Sequence, residues 1–148
     1  IKLKLSSRIH FYNIEDTSSS MKSICKIINK YYKKGHKVAV ISDNDDIISS
    51  LDKDLWTFEQ ISFVPHCTIN NFEPNCNVIL INQNHPDEKT YLLDFDVIMN
   101  LSDELCDFKY ENKIYLEIVT SNDKQKERAR EKYKYYKDLQ IKLDYESI

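Results

Sequence analysis

Arg130, Tyr133, Lys134 and Lys137 recur at i, i+3, i+4 and i+7. On a helix that spacing sets one guanidinium, two ammonium groups and a phenol on a single stripe. Such a stripe suits an anionic partner with an apolar part. Two partner classes meet that description. Nucleic acid would do so through phosphate neutralisation and stacking, and an acidic peptide with an aromatic end through a carboxylate clamp over an apolar pocket. The plainer alternative makes Tyr133 and Tyr136 core or boundary aromatics and the basic residues a solvated face. Pattern alone does not choose among these.

Other residues capable of chemistry form weaker constellations. Nucleophilic catalysis needs a cysteine or serine poised against a base, but the adjacent His66 and Cys67 cannot face each other on extended chain. A metal at His66 and Cys67 would need further ligands from Cys76 or His85, at no recognised zinc spacing. The four cysteines (25, 67, 76 and 106) contain no CxxC pair. Three lie in or beside apolar stretches, where a free thiol acts as a small hydrophobe, so neither disulfides nor structural zinc are expected. Acidic groups at 43–46 and at Asp94 and Asp96 could hold Mg²⁺ or act as paired carboxylates, but the first reads as a helix start and the second flanks a strand.

The charge is segregated. Residues 124–137 carry seven basic and two acidic side chains, a local charge of +5 against −8 for the rest and −3 in total. Overall acidity argues against extended contact with DNA. With 148 residues, 41% hydrophobic and 30% charged, the chain is the size of one domain, 1–148. No apolar run approaches the roughly 20 residues of a membrane helix, and no signal-peptide pattern is present, which reads as a soluble, cytoplasmic protein. The first residue is Ile1, and residues 1–7 read as a flexible or non-native extension.

The elements that must position the stripe follow from apolar periodicity. Residues 8–13 (RIHFYN) form a strand. Hydroxyls at 17–20 then cap a helix bearing Met21, Ile24, Cys25, Ile28 and Tyr32 on one face. Lys33 and Lys34 favour its negative end, and Gly35, the chain's only glycine, stops it in the left-handed conformation. Residues 37–42 (KVAVIS) lack alternation, as a strand covered on both faces does, so the opening reads βαβ with a parallel sheet. Asp43 or Asn44 caps a second helix through Leu55. After Pro65 and His66 the chain is read as loop to residue 75. Residues 77–82, 95–101 and 114–120 are further strands, making at least five. Ser121 or Asn122 caps a last helix to about Leu139. The fold class is α/β: a single three-layer α/β/α domain with a mostly parallel sheet. The loop at 14–20 holds no glycine and cannot reproduce a dinucleotide fingerprint or P-loop, so no nucleotide cofactor is expected.

Several local patterns resemble one family. Phe11-Tyr12 lies in the first strand, Gly35-His36-Lys37 turns into Val38-Ala39-Val40, and Leu51 precedes Leu55-Trp56. Trp56 is followed by Ser62-Phe63-Val64-Pro65-His66, and the last helix reads Ala129-Arg130-Glu131-Lys132-Tyr133-Lys134 with Tyr136-Lys137. Together these resemble the chi subunit family of bacterial DNA polymerase III over residues 8–141, with little likeness in 70–90. The resemblance implies a fold like that of nucleotide-binding domains without use of a nucleotide site, and a non-catalytic accessory subunit of the holoenzyme in DNA replication.

It further implies binding to the acidic C-terminal tail of single-stranded-DNA-binding protein, whose final Pro-Phe sets a ring beside an α-carboxylate. Carried over, Arg130 and Lys134 hold the carboxylates and Tyr133 lines the aromatic pocket. Trp56 and Phe63 pack nearby, and Lys137 is peripheral. A small psi subunit would link the chain to the clamp loader, with residues 95–108 as the candidate contact, and DNA would be reached only indirectly. No metal, cofactor or membrane is implied. One departure from the family is that the last helix, commonly ended by glycine, reads Asp138-Leu139-Gln140 here. Two rivals remain: direct binding of single-stranded nucleic acid by the same helix, and a small α/β enzyme holding Mg²⁺ on its acidic loops.

Overall fold

The structure is a computed structural model that describes residues 7–15, 17–57, 64–106, 113–120 and 122–148. The elements run β1 (Arg8–Ile14), α1 (Ser20–Lys33), β2 (Val38–Ser42), α2 (Asp45–Thr57), β3 (Cys67–Thr68), β4 (Val78–Asn82), α3 (Glu88–Leu92), β5 (Val97–Asn100), β6 (Ile114–Thr120), α4 (Asp123–Asp138) and β7 (Lys142–Ser147), with 3-10 turns at Thr17–Ser19 and Ile69–Asn71. Seven strands form one sheet in the order β3-β4-β2-β5-β6-β1-β7, and every described pair is parallel. The α/β class therefore holds, with a fully parallel sheet among the described residues.

The runs VAVIS, VILIN and VIMN fill the middle of the sheet, where both faces are covered and alternation is unnecessary. One face packs Tyr12, Ile14, Val40 and Leu116 against Ile24 and Ile28 of α1 and Leu51 and Leu55 of α2. The other packs Phe11, Ile79, Ile98 and Tyr115 against Leu92 of α3 and Tyr136 of α4. Each fully buried aliphatic or aromatic side chain contributes roughly 1.5–3 kcal/mol, so these two layers dominate stability. The candidate psi contact at 95–108 is corrected in part by this architecture. Phe95 and Val97–Asn100 lie in the interior, so within the described part of that segment Asp96 and the loop 101–106 remain as the candidate, and 107–108 lie outside the described residues.

Helix ends follow local chemistry. Gly35 takes φ 90°, and the N–H groups of Gly35 and His36 donate to Tyr32 O and Tyr31 O, closing α1 as expected. At the other end, Ser19 makes no side-chain capping bond, and the 3-10 turn leads into the helix instead. Asn44 Oδ1 accepts from Asp46 N–H at 2.8 Å at the start of α2. The C-terminus of α4 answers the family departure: the helix stops at Asp138 and Gln140 takes φ 61°, the conformation that glycine ordinarily supplies. Ile141 N–H then donates back to Tyr136 O, and the chain enters β7, a strand absent from the sequence reading. Gln140→Gly should relieve the left-handed strain and raise stability by about 0.5–1 kcal/mol, net of the entropy that glycine adds to the unfolded chain, as read from urea denaturation.

Asp96, the residue before β5, ties the sheet to the α1–β2 turn. It faces His36 Nδ1 at 2.6 Å and accepts from Lys37 N–H at 2.7 Å. Burial pushes its carboxyl up, but the hydrogen bonds from His36 and Lys37 and the charge of His36 outweigh this and hold it below the usual carboxylate range. Its stabilising contribution is therefore present above the unfolded value near pH 4 and lost as pH falls through the lower folded value. Asp96→Asn should lower the melting temperature at neutral pH and lose its effect in acid. Its half-exposed side chain limits the loss to about 1 kcal/mol or less.

Candidate functional site

Helix α4 carries the basic stripe from β6 over β1 to β7. Asn122 Oδ1 accepts from the N–H groups of Lys124 and Gln125 and fixes its start. Tyr136 is fully buried, and both it and Tyr133 pack on Phe11, with ring centroids 6.0 and 5.5 Å away. About one helical turn separates the two rings, so both tyrosines reach the same β1 side chain.

A buried polar cluster sets the rotation of the helix. Lys132 Nζ donates to Glu117 Oε1 at 3.0 Å and to Ser102 O at 2.8 Å, and all three residues are buried. Tyr136 O–H donates to the other carboxylate oxygen at 2.6 Å, which also accepts from Asn100 Nδ2. The Tyr136 oxygen in turn accepts from Cys106 N–H at 2.9 Å. Arg128 Nε donates to Asp103 O, adding a third bond between α4 and loop 101–106. Burial pushes the Glu117 carboxyl above its ordinary range, and the Lys132 charge with the hydrogen bonds from Tyr136 and Lys132 restrains that rise. Spacing on α4 reads Lys132 as one more solvated cation, and only the sheet reveals its carboxylate.

On the outer side of α4 lies an open cleft of about 700 Å³. Its floor and wall are Phe11 and Asn13 of β1, Val119 of β6, Tyr145 of β7, and Ala129 and Tyr133 of α4. The pairing that aligns Phe11 with Tyr145 and Asn13 with Val119 gathers these side chains from three neighbouring strands. Lys126, Arg130, Lys134 and Lys137 form the rim, and no carboxylate, histidine or cysteine lines the cleft. None of the four cations is ion-paired with a carboxylate among the described residues. An apolar floor under clustered positive charge can hold a ring beside carboxylates. The lining includes no poised nucleophile and no paired acid and base.

The cleft thus unites Arg130, Tyr133, Lys134 and Lys137. It does not include Trp56, and this corrects the expectation that Trp56 packs beside the stripe. Trp56 is the penultimate residue of α2, on the opposite face of the sheet, and borders a cleft with Pro65, His66 and Cys67 at β3. β3 is five strand positions from β1, about 24 Å at ordinary strand spacing. Phe63 lies outside the described residues. The sequence reading missed Lys126, whose i−4 spacing from Arg130 signals it, and Tyr145, which no local signal marks because its strand was unforeseen.

The other candidate groups have structural partners. The His66 ring is fully enclosed, with Nδ1 2.7 Å from Val64 O and Nε2 2.9 Å from the Asp52 carboxylate, fastening the chain before β3 to α2. Asp45 accepts from Asn82 Nδ2 at 2.8 Å, joining α2 to β4. Among the described residues no three His, Cys, Asp or Glu side chains gather as a metal site requires, and no helix is long and apolar enough to cross a membrane.

Residues 7–144 match the family described as "DNA polymerase III chi subunit, HolC". The DNA polymerase III subunit chi of Pseudomonas aeruginosa is 25% identical over 134 residues, which cover 89% of this chain and 90% of the relative. The matched span takes in α4, β1 and β6 in full and the first three residues of β7. A likeness extending through nearly the whole sheet makes the chain a member of the DNA polymerase III chi subunit family, a family of DNA replication.

Proposed function

We propose that this chain is a non-catalytic tether of the replicase. In this reading the α4 cleft takes the acidic C-terminal tail of single-stranded-DNA-binding protein, and a psi partner links the chain to the clamp loader in the cytoplasm. The observation that carries the tail reading is the cleft itself: Phe11, Val119, Tyr133 and Tyr145 beneath Lys126, Arg130, Lys134 and Lys137, with no acidic residue in the lining. A terminal phenylalanine ring fills the apolar floor, while its α-carboxylate and the preceding acidic side chains meet Arg130, Lys134 and the outer lysines. Charge then steers the tail and weakens with salt, whereas ring burial is not screened, and specificity needs both.

Fluorescence anisotropy tests this with an acidic peptide ending in Pro-Phe, the same peptide without Phe, and a single-stranded oligonucleotide. Binding to the first alone supports the tether. Equal binding to the oligonucleotide, with a steep salt slope and indifference to the peptide's last residue, replaces it with direct nucleic-acid binding.

A further inference from the structure

The spacing of Cys67 and Cys76 matches no disulfide or metal motif, yet the fold brings the two side chains together. β3 starts at Cys67, the chain makes a 3-10 turn at Ile69–Asn71, and it returns to Cys76 just before β4. Cys76 Sγ lies 2.8 Å and Cys67 Sγ 3.8 Å from the same acceptor, Val78 O. Both line a cleft of about 460 Å³ together with Trp56, His66 and Glu73, so a small solute has a route to them. Cys76 is half-buried and Cys67 nearly enclosed. Their chemistry is unequal. The Cys67 hydrogen bond pulls the Cys76 thiol down to about 7 against the effect of burial, helped by His66, while Cys67 itself is pushed up. Cys25 offers a contrast: it is fully buried on the core face of α1 and its thiol is pushed up to about 12 by burial and by Asp54.

We propose that Cys76 and Cys67 form a reversible thiol–disulfide site oxidised by hydrogen peroxide, Cys76 as the attacking thiol and Cys67 as the resolving one. The Cys76 thiolate attacks one peroxide oxygen, the O–O bond breaks, and the departing hydroxide takes up the thiol proton as water. The resulting Cys76 sulfenic acid is attacked by Cys67 sulfur. An S–S bond forms, the S–O bond breaks, and hydroxide leaves with the Cys67 proton as a second water. Two thiols give up two electrons and one peroxide becomes two waters. The more accessible, more acidic thiol beside an enclosed partner is the arrangement that favours this order of events. The bond would pin the segment between β3 and β4, one wall of the cleft that carries the exposed Trp56 indole.

The test treats the full-length reduced chain with hydrogen peroxide, removes the peroxide, denatures the chain in the presence of N-ethylmaleimide to block remaining thiols, and maps peptides without reduction. The expected product is one intramolecular Cys67–Cys76 link that dithiothreitol reverses, with Cys25 and Cys106 still alkylated. Trp56 is the chain's single tryptophan, so its fluorescence should fall on oxidation and return on reduction. In Cys67→Ser, whose hydroxyl keeps a donor beside Cys76 but cannot close the disulfide, dimedone should trap sulfenic acid at Cys76. The proposal is overturned if wild-type Cys76 proceeds to sulfinic acid without the link, or if the disulfide joins other cysteines or two molecules. Should the variant not fold, the wild-type map decides by itself.

Discussion

Lys132→Met should destabilise the protein by about 3–5 kcal/mol at neutral pH, because it leaves the Glu117 carboxylate buried without its cation. Glu117→Gln should cost a similar amount by stranding the ammonium. The double variant should recover most of the loss, since the Gln oxygen still accepts from Tyr136 O–H and Asn100 Nδ2 while Met fills the lysine stem. Guanidinium denaturation of the four proteins measures the cycle, and near-additive losses would show that the pair does not act as a unit. The Lys132→Met deficit should also depend on pH. Burial already raises the Glu117 carboxyl, and removing Lys132 raises it further. A folded value above the unfolded one, near 4.3, favours the folded state below the unfolded value, and that advantage is lost as pH rises through the folded value. Lys132→Met should therefore be more stable at pH 5 than at pH 8. The consequence reaches the cleft, because Lys132 and Tyr136 hold the α4 rotation that aims Arg130 and Lys134.

Arg130→Ala and Lys134→Ala should each weaken binding of the Pro-Phe tail by about 1–3 kcal/mol, the range for a lost charged contact. Tyr145→Ala should cost a comparable amount by removing part of the apolar floor. The salt dependence of binding should flatten in the two charge variants and stay unchanged in Tyr145→Ala, because only the former remove a screened interaction. Trp56→Ala, across the sheet, should leave tail affinity intact. Loss of affinity there, with Arg130→Ala silent, would move the tail site from α4 to the β3 edge. None of these residues belongs to the buried cluster, so melting temperatures should change little and separate binding from folding effects.

Much of this could be read locally. Val38–Ser42, Val78–Asn82 and Ile114–Thr120 announce themselves by β-branched content, Gly35 by its isolation, and α4 by the spacing of Arg130, Tyr133, Lys134 and Lys137. Such signals depend on neighbours along the chain, through backbone propensity and side-chain period. β3, with two residues, is too short to carry a period, and β7 is strongly polar, a strand only because β1 offers it a free edge. Gln140 stands in a glycine conformation that its own type disfavours, held there by the tertiary path into β7.

The sequence by itself determined the α/β class, the helix that carries the cations, and the family patterns at both ends of the chain. Tertiary structure alone decided which side chains meet. Strand order put Phe11, Val119 and Tyr145 under one rim, turned Lys132 inward to Glu117, carried Trp56 to the other face, and brought the free thiols of Cys67 and Cys76 to one cleft. The physical reason is one of range. Helix and strand formation are set within a few residues, whereas a cleft, a buried ion pair or a thiol pair is made between residues that share no local signal and are brought together by the sheet.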